Sequence, residues 1–375
     1  MSKASDLANL IGNINAGGGG VNRNLIINGA MNVAQRGTSH TGLGGSTGAV
    51  YTLDRFCTFD SATAGRATVT QDSSAPSGFA NSLKVACTTA DTSIAAGEQF
   101  LLQQRIEGQN LQAFAKGTSD AKPFAVSFYV KGNASATYIC ELHDQDNGRQ
   151  CSKTFNVTTD WTRIELTFPA DTTGAFDDDN ARSLNFNIAL HAGSTYTSGT
   201  LNSSAFASTT NANRYVGGSS FFDSTDRTFF ITGVQLEVGQ NPTEFEHKPY
   251  VQHLLDCQRY TFVVDATDDN EGSGDRSLGL GTYYNDTSVI VYIHTPVEMR
   301  ATPSLSVDLN GNSHWLQSYV GASGVDSNAG LNVGHNGNNT AHRLYFTSSH
   351  SSRTAGESSW NQVRDGARFV MSAEL

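Results

Sequence analysis

Apolar and polar residues alternate along most of this chain, the period expected of strands that bury one face. From Phe56 onward the alternating runs are Ala67–Gln71, Leu83–Cys87, Phe100–Ile106, Phe124–Lys131, Thr137–His143, Cys151–Val157, Thr162–Phe168, Leu184–Leu190 and Thr228–Leu236. Shorter extended runs precede them at Leu25–Ile27, Val33–Arg36 and Tyr51–Phe56, separated by a small-residue loop over Thr38–Gly48. Asn28-Gly29 reads as a turn pair at positive φ, and Asn147-Gly148 as the primed turn of a hairpin. A second series follows at Val289–His294, Ser304–Leu309, Trp315–Val320, Arg343–Phe346 and Arg368–Met371, with Pro296 and Pro303 outside strand centres. Three polar loops divide that region: Asp265–Asp275, Gly321–Asn328 and His335–His342. Many short strands without intervening helices predict an all-β chain, an antiparallel β-sandwich jelly roll followed by a second, smaller β-sandwich.

The period changes in two places. Over Ser2–Ile14 apolar residues return every three or four positions, predicting a short amphipathic helix with Leu7, Leu10, Ile11 and Ile14 on its stripe. Such a helix is marginal alone in water, so the stripe calls for a partner surface, either its own domain or another protein. Residues 16–20 then form a flexible glycine linker. The second place is Gly233–Tyr260. Phe229, Ile231, Val234, Leu236 and Val238 end a strand, Gly239 and Pro242 break it, and Val251, Leu254, Leu255 and Gln258 suit a short helix. The stretch therefore reads as a domain junction. The predicted organisation is an anchoring helix and linker over 1–23, a jelly roll over 24–249 and a distal β domain over 250–375.

Composition narrows the function classes. The chain has 375 residues, 16% charged, with 37 glycines and a formal net charge of −11. That charge opposes wrapping nucleic acid or binding an anionic membrane surface. No stretch has the length of a membrane span, and no apolar run near Met1 resembles a signal peptide. Five cysteines without CxxC spacing predict neither a disulfide framework nor a zinc site. Cys257, beside Leu254 and Leu255, reads as a buried small hydrophobe.

Several phrases carry a family resemblance. Asn24-Leu-Ile-Ile-Asn-Gly-Ala-Met-Asn-Val-Ala-Gln-Arg-Gly37 is followed by Tyr51-Thr-Leu-Asp-Arg-Phe56; later come Gly233-Val-Gln-Leu-Glu237, Phe245-Glu-His-Lys-Pro-Tyr250 and Cys257-Gln-Arg-Tyr260. Val297–Ser304 and Ser372–Leu375 fit the same pattern. In this order they resemble a module of bacteriophage tail-fibre and appendage proteins with a carbohydrate-binding jelly roll. Phe56 stands where tryptophan is usual and Thr261 where a second tyrosine is common. The resemblance implies a structural virion protein, assembled in the host cytoplasm, that attaches to other virion proteins through its N-terminus. It further implies a homotrimer, contact with host surface glycan and no catalysis. Such jelly rolls commonly hold a structural calcium through an acid in the last strand; Gly233 stands near that position here, so no metal or cofactor is expected.

Motifs for chemistry are weak. Gly44-Gly-Ser-Thr-Gly48 has the letters of a nucleophile elbow, but that motif requires a strand-to-helix turn and no helix pattern follows. Asp144-x-Asp146 and Asp177–Asn180 read as solvated acidic turns, since neither has the glutamate of a calcium loop. Trp161 is expected in the core. Aromatic rings can stack on the apolar faces of sugars, which makes Trp315, Tyr319 and Trp360, with His335 in a polar loop, the candidates for glycan contact. Two other classes fit the same pattern: a head fibre or capsid decoration protein without receptor binding, and a tailspike depolymerase whose paired carboxylates need no proximity in sequence.

Overall fold

A computed structural model describes residues 3–5, 8, 11, 22–61, 63–266, 275–309, 313–321, 324–328, 341–347 and 353–375. The chain divides into two compact units, residues 1–253 with Leu375 and residues 254–374. Of the expected N-terminal helix, residues 3–5, Ala8 and Ile11 are helical and Ile11 is exposed. Leu7, Leu10 and Ile14 lie outside the described residues.

In the N-terminal unit the strands are β1 (Ser39–Leu43), β2 (Thr47–Tyr51), β3 (Cys57–Ser61), β4 (Arg66–Asp72), β5 (Ser82–Thr89), β6 (Gln99–Glu107), β7 (Phe124–Gly132), β8 (Ala136–Asp144), β9 (Arg149–Val157), β10 (Thr162–Phe168), β11 (Arg182–Ala192), β12 (Ala207–Ser208) and β13 (Thr228–Val238). They form two antiparallel sheets, ordered β1-β4-β5-β13-β7-β10 and β12-β9-β8-β11-β6-β3-β2, the layers of a jelly-roll sandwich. Alternation decides which face meets the core. Phe124, Val126, Phe128 and Val130 of β7 meet Leu184, Phe186, Ile188 and Leu190 of β11 in one buried cluster. Each fully buried Phe or Leu contributes about 1.5–3 kcal/mol. Several per strand outweigh the poor strand propensity of the Asn and Gln residues on the opposite face.

The slip in the β13 alternation is a bulge. Its register against β7 shifts between Thr232 and Gln235, and Gly233 sits at φ +62° with Phe79 and Tyr129 pressed where a Cβ would be. The bulge frees Val234 to pair with the N-terminal segment: its N–H donates to the Gly29 carbonyl at 2.9 Å, and its carbonyl accepts from Asn24 Nδ2 at 3.1 Å. Here the family-like phrases meet. Asn28, at φ +60°, accepts from Val33 N at 2.9 Å through Oδ1 and donates through Nδ2 to the Val33 and Asp54 carbonyls. The Asp54 carboxylate accepts both Gln35 N and Gln35 Nε2 at 2.6 Å. These residues close the sandwich by pinning its first segment to its last strand.

Some expectations are corrected. Leu25–Ile27 is not a strand, although Leu25 N does donate to the Leu236 carbonyl. Tyr51–Phe56 is mostly a turn with Arg55 at φ +69°, and the strands lie on either side of it. The small-residue loop holds β1 and the first two residues of β2, and the register of β1 against β4 shifts between His40 and Leu43, where Gly42 fits a bulged edge. Between β8 and β9 four residues form the turn, capped by Asp144 Oδ1 accepting from Asn147 N, and only Gly148 has positive φ. Trp161 lies half-buried on the outer face of its sheet, edge-on to Phe230 with Lys131 Nζ 5.3 Å from its ring centroid. A lysine needs water at its ammonium, which keeps that ring at the surface.

Helix α1 (Ser194–Thr197) is one short turn; α2 (Tyr250–Gln258) is the predicted junction helix, with Cys257 buried. In the C-terminal unit β14 (Thr261–Asp265), β15 (Arg276–Tyr283), β16 (Ser288–His294), β17 (Ser304–Asp308), β18 (Leu316–Val320), β19 (Gly324–Asn328), β20 (Ala341–Thr347), β21 (Ser358–Val363) and β22 (Arg368–Ser372) form two antiparallel sheets. Their orders are β14-β22-β17 and β19-β18-β21-β15-β16-β20. Strands β14, β15 and β21 were not foreseen, and β19 occupies part of a predicted loop.

Candidate functional site

The outward face of the six-stranded sheet in the C-terminal unit carries the candidate site. In β21 the run Ser358-Ser-Trp-Asn-Gln-Val363 buries Ser359, Asn361 and Val363 and turns Trp360 outward, 49% exposed. In β18 Leu316 and Ser318 point inward, Gln317 and Tyr319 outward. A buried polar ladder holds this register: Ser318 Oγ donates to Asn361 Oδ1 at 2.7 Å, and Asn361 Nδ2 donates to Ser359 Oγ at 3.1 Å and to the Gly279 carbonyl at 3.2 Å. A slip of one residue would drive Trp360 inward and leave these groups unpaired.

The register lines up side chains across the sheet. Tyr319 opposes Trp360, with ring centroids 5.7 Å apart and planes tilted by 37°. Trp360 opposes Leu280, which among the described residues of the unit is the most exposed large apolar one at 76%. Gly281 opposes Val291, so the next pair in step is Leu280 with Tyr292, itself 57% exposed and opposite Arg343. Tyr319, Trp360, Leu280 and Tyr292 thus cross four adjacent strands, about 14 Å at the usual strand spacing. Beside this row Gln317 opposes Gln362, which opposes Ser277. Ser277 Oγ accepts from Trp360 Nε1 at 3.4 Å, which steadies the indole. A flat apolar strip flanked by amides and hydroxyls suits a ligand with apolar faces and hydroxyl edges.

Of the four glycan candidates read from the sequence, Tyr319 and Trp360 are brought together here. Trp315 is not available. It is fully buried, stacked on Phe369 at 5.2 Å and 6° between planes, and edge-on to Phe346. It precedes β18 at a position that faces the core cluster, where a large ring fills volume that a surface position would leave open. His335 lies outside the described residues. Leu280 and Tyr292 were missed, because a run such as Ser277-Leu-Gly-Leu-Gly281 does not say which leucine faces out.

The N-terminal unit offers a different face. On the outer side of its seven-stranded sheet Glu141 is fully buried, yet it accepts Arg214 Nε and Nη2 at 2.8 Å each, Asn187 Nδ2 at 2.8 Å and Tyr215 OH at 3.1 Å. Burial works to raise its pKa, but the Arg214 charge and these hydrogen bonds bring it below the ordinary glutamate value. Asn185, His143 and Gln150 stand in register beside it. Residues 194–220 supply Arg214 and Tyr215, and Thr209, whose Oγ1 lies 3.1 Å from His143 Nε2. The chain itself covers much of this face. Burial lowers the pKa of His143, against the raising effect of Glu141. The sequence signal was Leu184-Asn-Phe-Asn-Ile188, asparagines alternating with core residues.

Other sequence features resolve without chemistry. Gly44–Gly48 carries the chain from β1 in one sheet to β2 in the other, and Ser46 Oγ donates to Asp60 Oδ2 at 2.9 Å, so this serine sits between two strands and not on a strand-to-helix elbow. Asp144 is buried instead of solvated, with Lys116 Nζ 2.6 Å from it and 3.2 Å from Asp171, which also takes Arg149 Nε at 2.8 Å. In the last strand the buried acid is Glu237, not the Gly233 position. Arg23 Nε lies 3.4 Å from it, and Thr243 donates N–H and hydroxyl bonds to it. An arginine thus supplies the positive charge at that carboxylate.

No family model matches the chain, and no curated protein matches it. Among solved structures, one described as "CBM4 structure and function" is 11% identical over 56% of this chain and 97% of its own, with a TM-score of 0.28. A CBM61 module in complex with beta-1,4-galactotriose is 10% identical over 58% of this chain and 99% of its own, with a TM-score of 0.29. The enzymatically active domain of bacteriophage CBA120 tailspike protein 4 is 12% identical over 58% of this chain and 21% of its own, at 0.28. Similarity at these scores carries no weight in the functional reading.

Proposed function

We propose that this chain is a structural protein of a bacteriophage virion, a fibre or appendage that joins the particle through its N-terminus and holds host-surface glycan without turning it over. The observation that carries glycan contact is the exposed row Tyr319, Trp360, Leu280 and Tyr292 beside Gln317, Gln362 and Ser277. An exposed aromatic strip on a rigid sheet is a contact surface more often than an accident of packing. The virion assignment rests on the sequence phrases that resemble tail-fibre modules; in the fold the phrases over 24–37, 51–56 and 233–237 make the contacts that close the jelly roll. Assembly as a homotrimer would make weak single-site binding sufficient, since several copies engage one surface.

The intact oligomer should bind a subset of glycans on an array, and Trp360→Ala should weaken that binding roughly ten-fold or more, as for loss of one aromatic anchor worth over 1 kcal/mol. Unchanged binding would remove the row from the reading. A Trp360→Ala protein that changes its oligomeric state would instead make the row a contact between copies. New reducing ends from purified host polysaccharide would overturn the claim of no turnover.

A further inference from the structure

We propose that Asp91, Glu98 and His191 form a binding site for one divalent transition-metal cation of the zinc class in the N-terminal unit. One ligand atom from each lies within 4.8 Å of the others, and the three residues are 4%, 9% and 1% exposed. They come from two places, the loop that joins β5 to β6 (Asp91 and Glu98) and the end of β11 (His191). A cation there would tie together segments remote in sequence.

The pointer to a ligand is a missing counter-charge. Three other buried carboxylates of this unit have a cationic side chain, Glu141 with Arg214 at 2.8 Å, Glu237 with Arg23 at 3.4 Å and Asp144 with Lys116 at 2.6 Å, while Asp60 is held by the Ser46 hydroxyl and the Gly44 and Ser46 N–H groups. Asp91 and Glu98 have none; among the described residues no lysine or arginine pairs with either, and the ion-pair partner of Glu98 is His191, Nε2 to Oε2 at 3.4 Å. Two carboxylates close together away from water repel and are poorly solvated, a cost that a bound cation removes.

The donor set selects the cation. One imidazole nitrogen with two carboxylates is a first-row transition-metal set, whereas calcium takes six to eight oxygens. His191 is already oriented for it. Nδ1 lies 2.8 Å from Ser220 Oγ, which directs Nε2 toward Glu98, the outer-sphere arrangement typical of metal-bound histidines. Backbone N–H groups of Ala64 and Ser93 hold Asp91. Zinc ligands in a tetrahedron stand about 3.3–3.6 Å apart, so the three groups need to close by roughly 1 Å.

The test uses the full chain stripped with EDTA and dialysed. Zinc chloride should bind with one-to-one stoichiometry by calorimetry and raise Tm by several degrees, and cobalt chloride should give the strong visible absorption of four-coordinate Co(II). Calcium chloride should do neither. His191→Gln and Glu98→Gln should each weaken zinc binding at least ten-fold and abolish the cobalt spectrum while keeping the circular dichroism of the stripped parent. Asp91→Asn replaces either variant that does not fold. No zinc-dependent rise in Tm of the parent overturns the proposal, and so does zinc binding that all these variants retain. A response to calcium alone overturns it as well.

Discussion

Two sheet faces of this protein pose the same physical problem and solve it differently. The outer face of the seven-stranded sheet in the N-terminal unit is lined with Glu141, Asn185, Asn187, His143 and Gln150, and residues 194–220 cover much of it. The outer face of the six-stranded sheet in the C-terminal unit leaves Leu280, Tyr292 and Trp360 at the surface. Where the chain covers its own face, polar groups are buried and must be matched, so every partner becomes structural. Where the face stays open, apolar rings remain in water and gain by meeting something else. Polarity alone would point to the face that the chain itself covers.

Removing a matched partner from the covered face should have the largest effect. Arg214→Ala leaves Glu141 buried without its cation, so a loss of about 3–5 kcal/mol is expected, read as a lower urea midpoint for the N-terminal unit. A loss below 1 kcal/mol would mean that water reaches this carboxylate. The same comparison can be drawn between the two tryptophans of the C-terminal unit. Trp315→Ala opens a cavity beside Phe369 and Phe346 and should also cost about 3–5 kcal/mol.

Acid separates the faces next. His143 and His191 have folded pKa values below their unfolded one, burial being the main cause. The unfolded state therefore binds more protons as pH falls below about 6.5, and the stability they contribute is lost from there downward. Glu141 and Asp171 also have lowered folded values, their partners prevailing over burial. Their contribution is full above the unfolded carboxylate range and is lost as pH falls from about 4 through the folded values. Urea midpoints of the N-terminal unit should thus fall in two stages, near pH 6 and below pH 4. A flat profile from pH 7 to 4 would show that the histidines are not held neutral. Trp360→Ala should change stability least, within about 0.5 kcal/mol, while its effect on glycan binding is large; the reverse pattern would make Trp360 a packing residue.

Much of the fold was legible because a period of two is a local property. Phe124, Val126, Phe128 and Val130 announce a strand with one apolar face whatever lies opposite. The phase slip at Gly233 is equally visible, and only a bulge reconciles it with continued burial of Val234 and Leu236. Strands such as β1 and β15 were missed because Gly, Ser and Thr give no apolar alternation to read, and their pairing comes from neighbouring strands. The turn at Asn147 took four residues, since Asp144 is held by Lys116 and its side chain caps the loop.

The sequence by itself determined where most strands run and that each has two unlike faces. Only the tertiary structure decided which of those faces the chain would cover. Trp315 and Trp360 look alike in the sequence, each flanked by small, polar or aliphatic residues that do not say which way the ring faces. One is sealed under Phe369 and the other left open, because coverage is set by residues far away along the chain. The same reason assembles Asp91, Glu98 and His191. Spacing cannot announce such a trio, since loops and strand ends meet only once two sheets have packed.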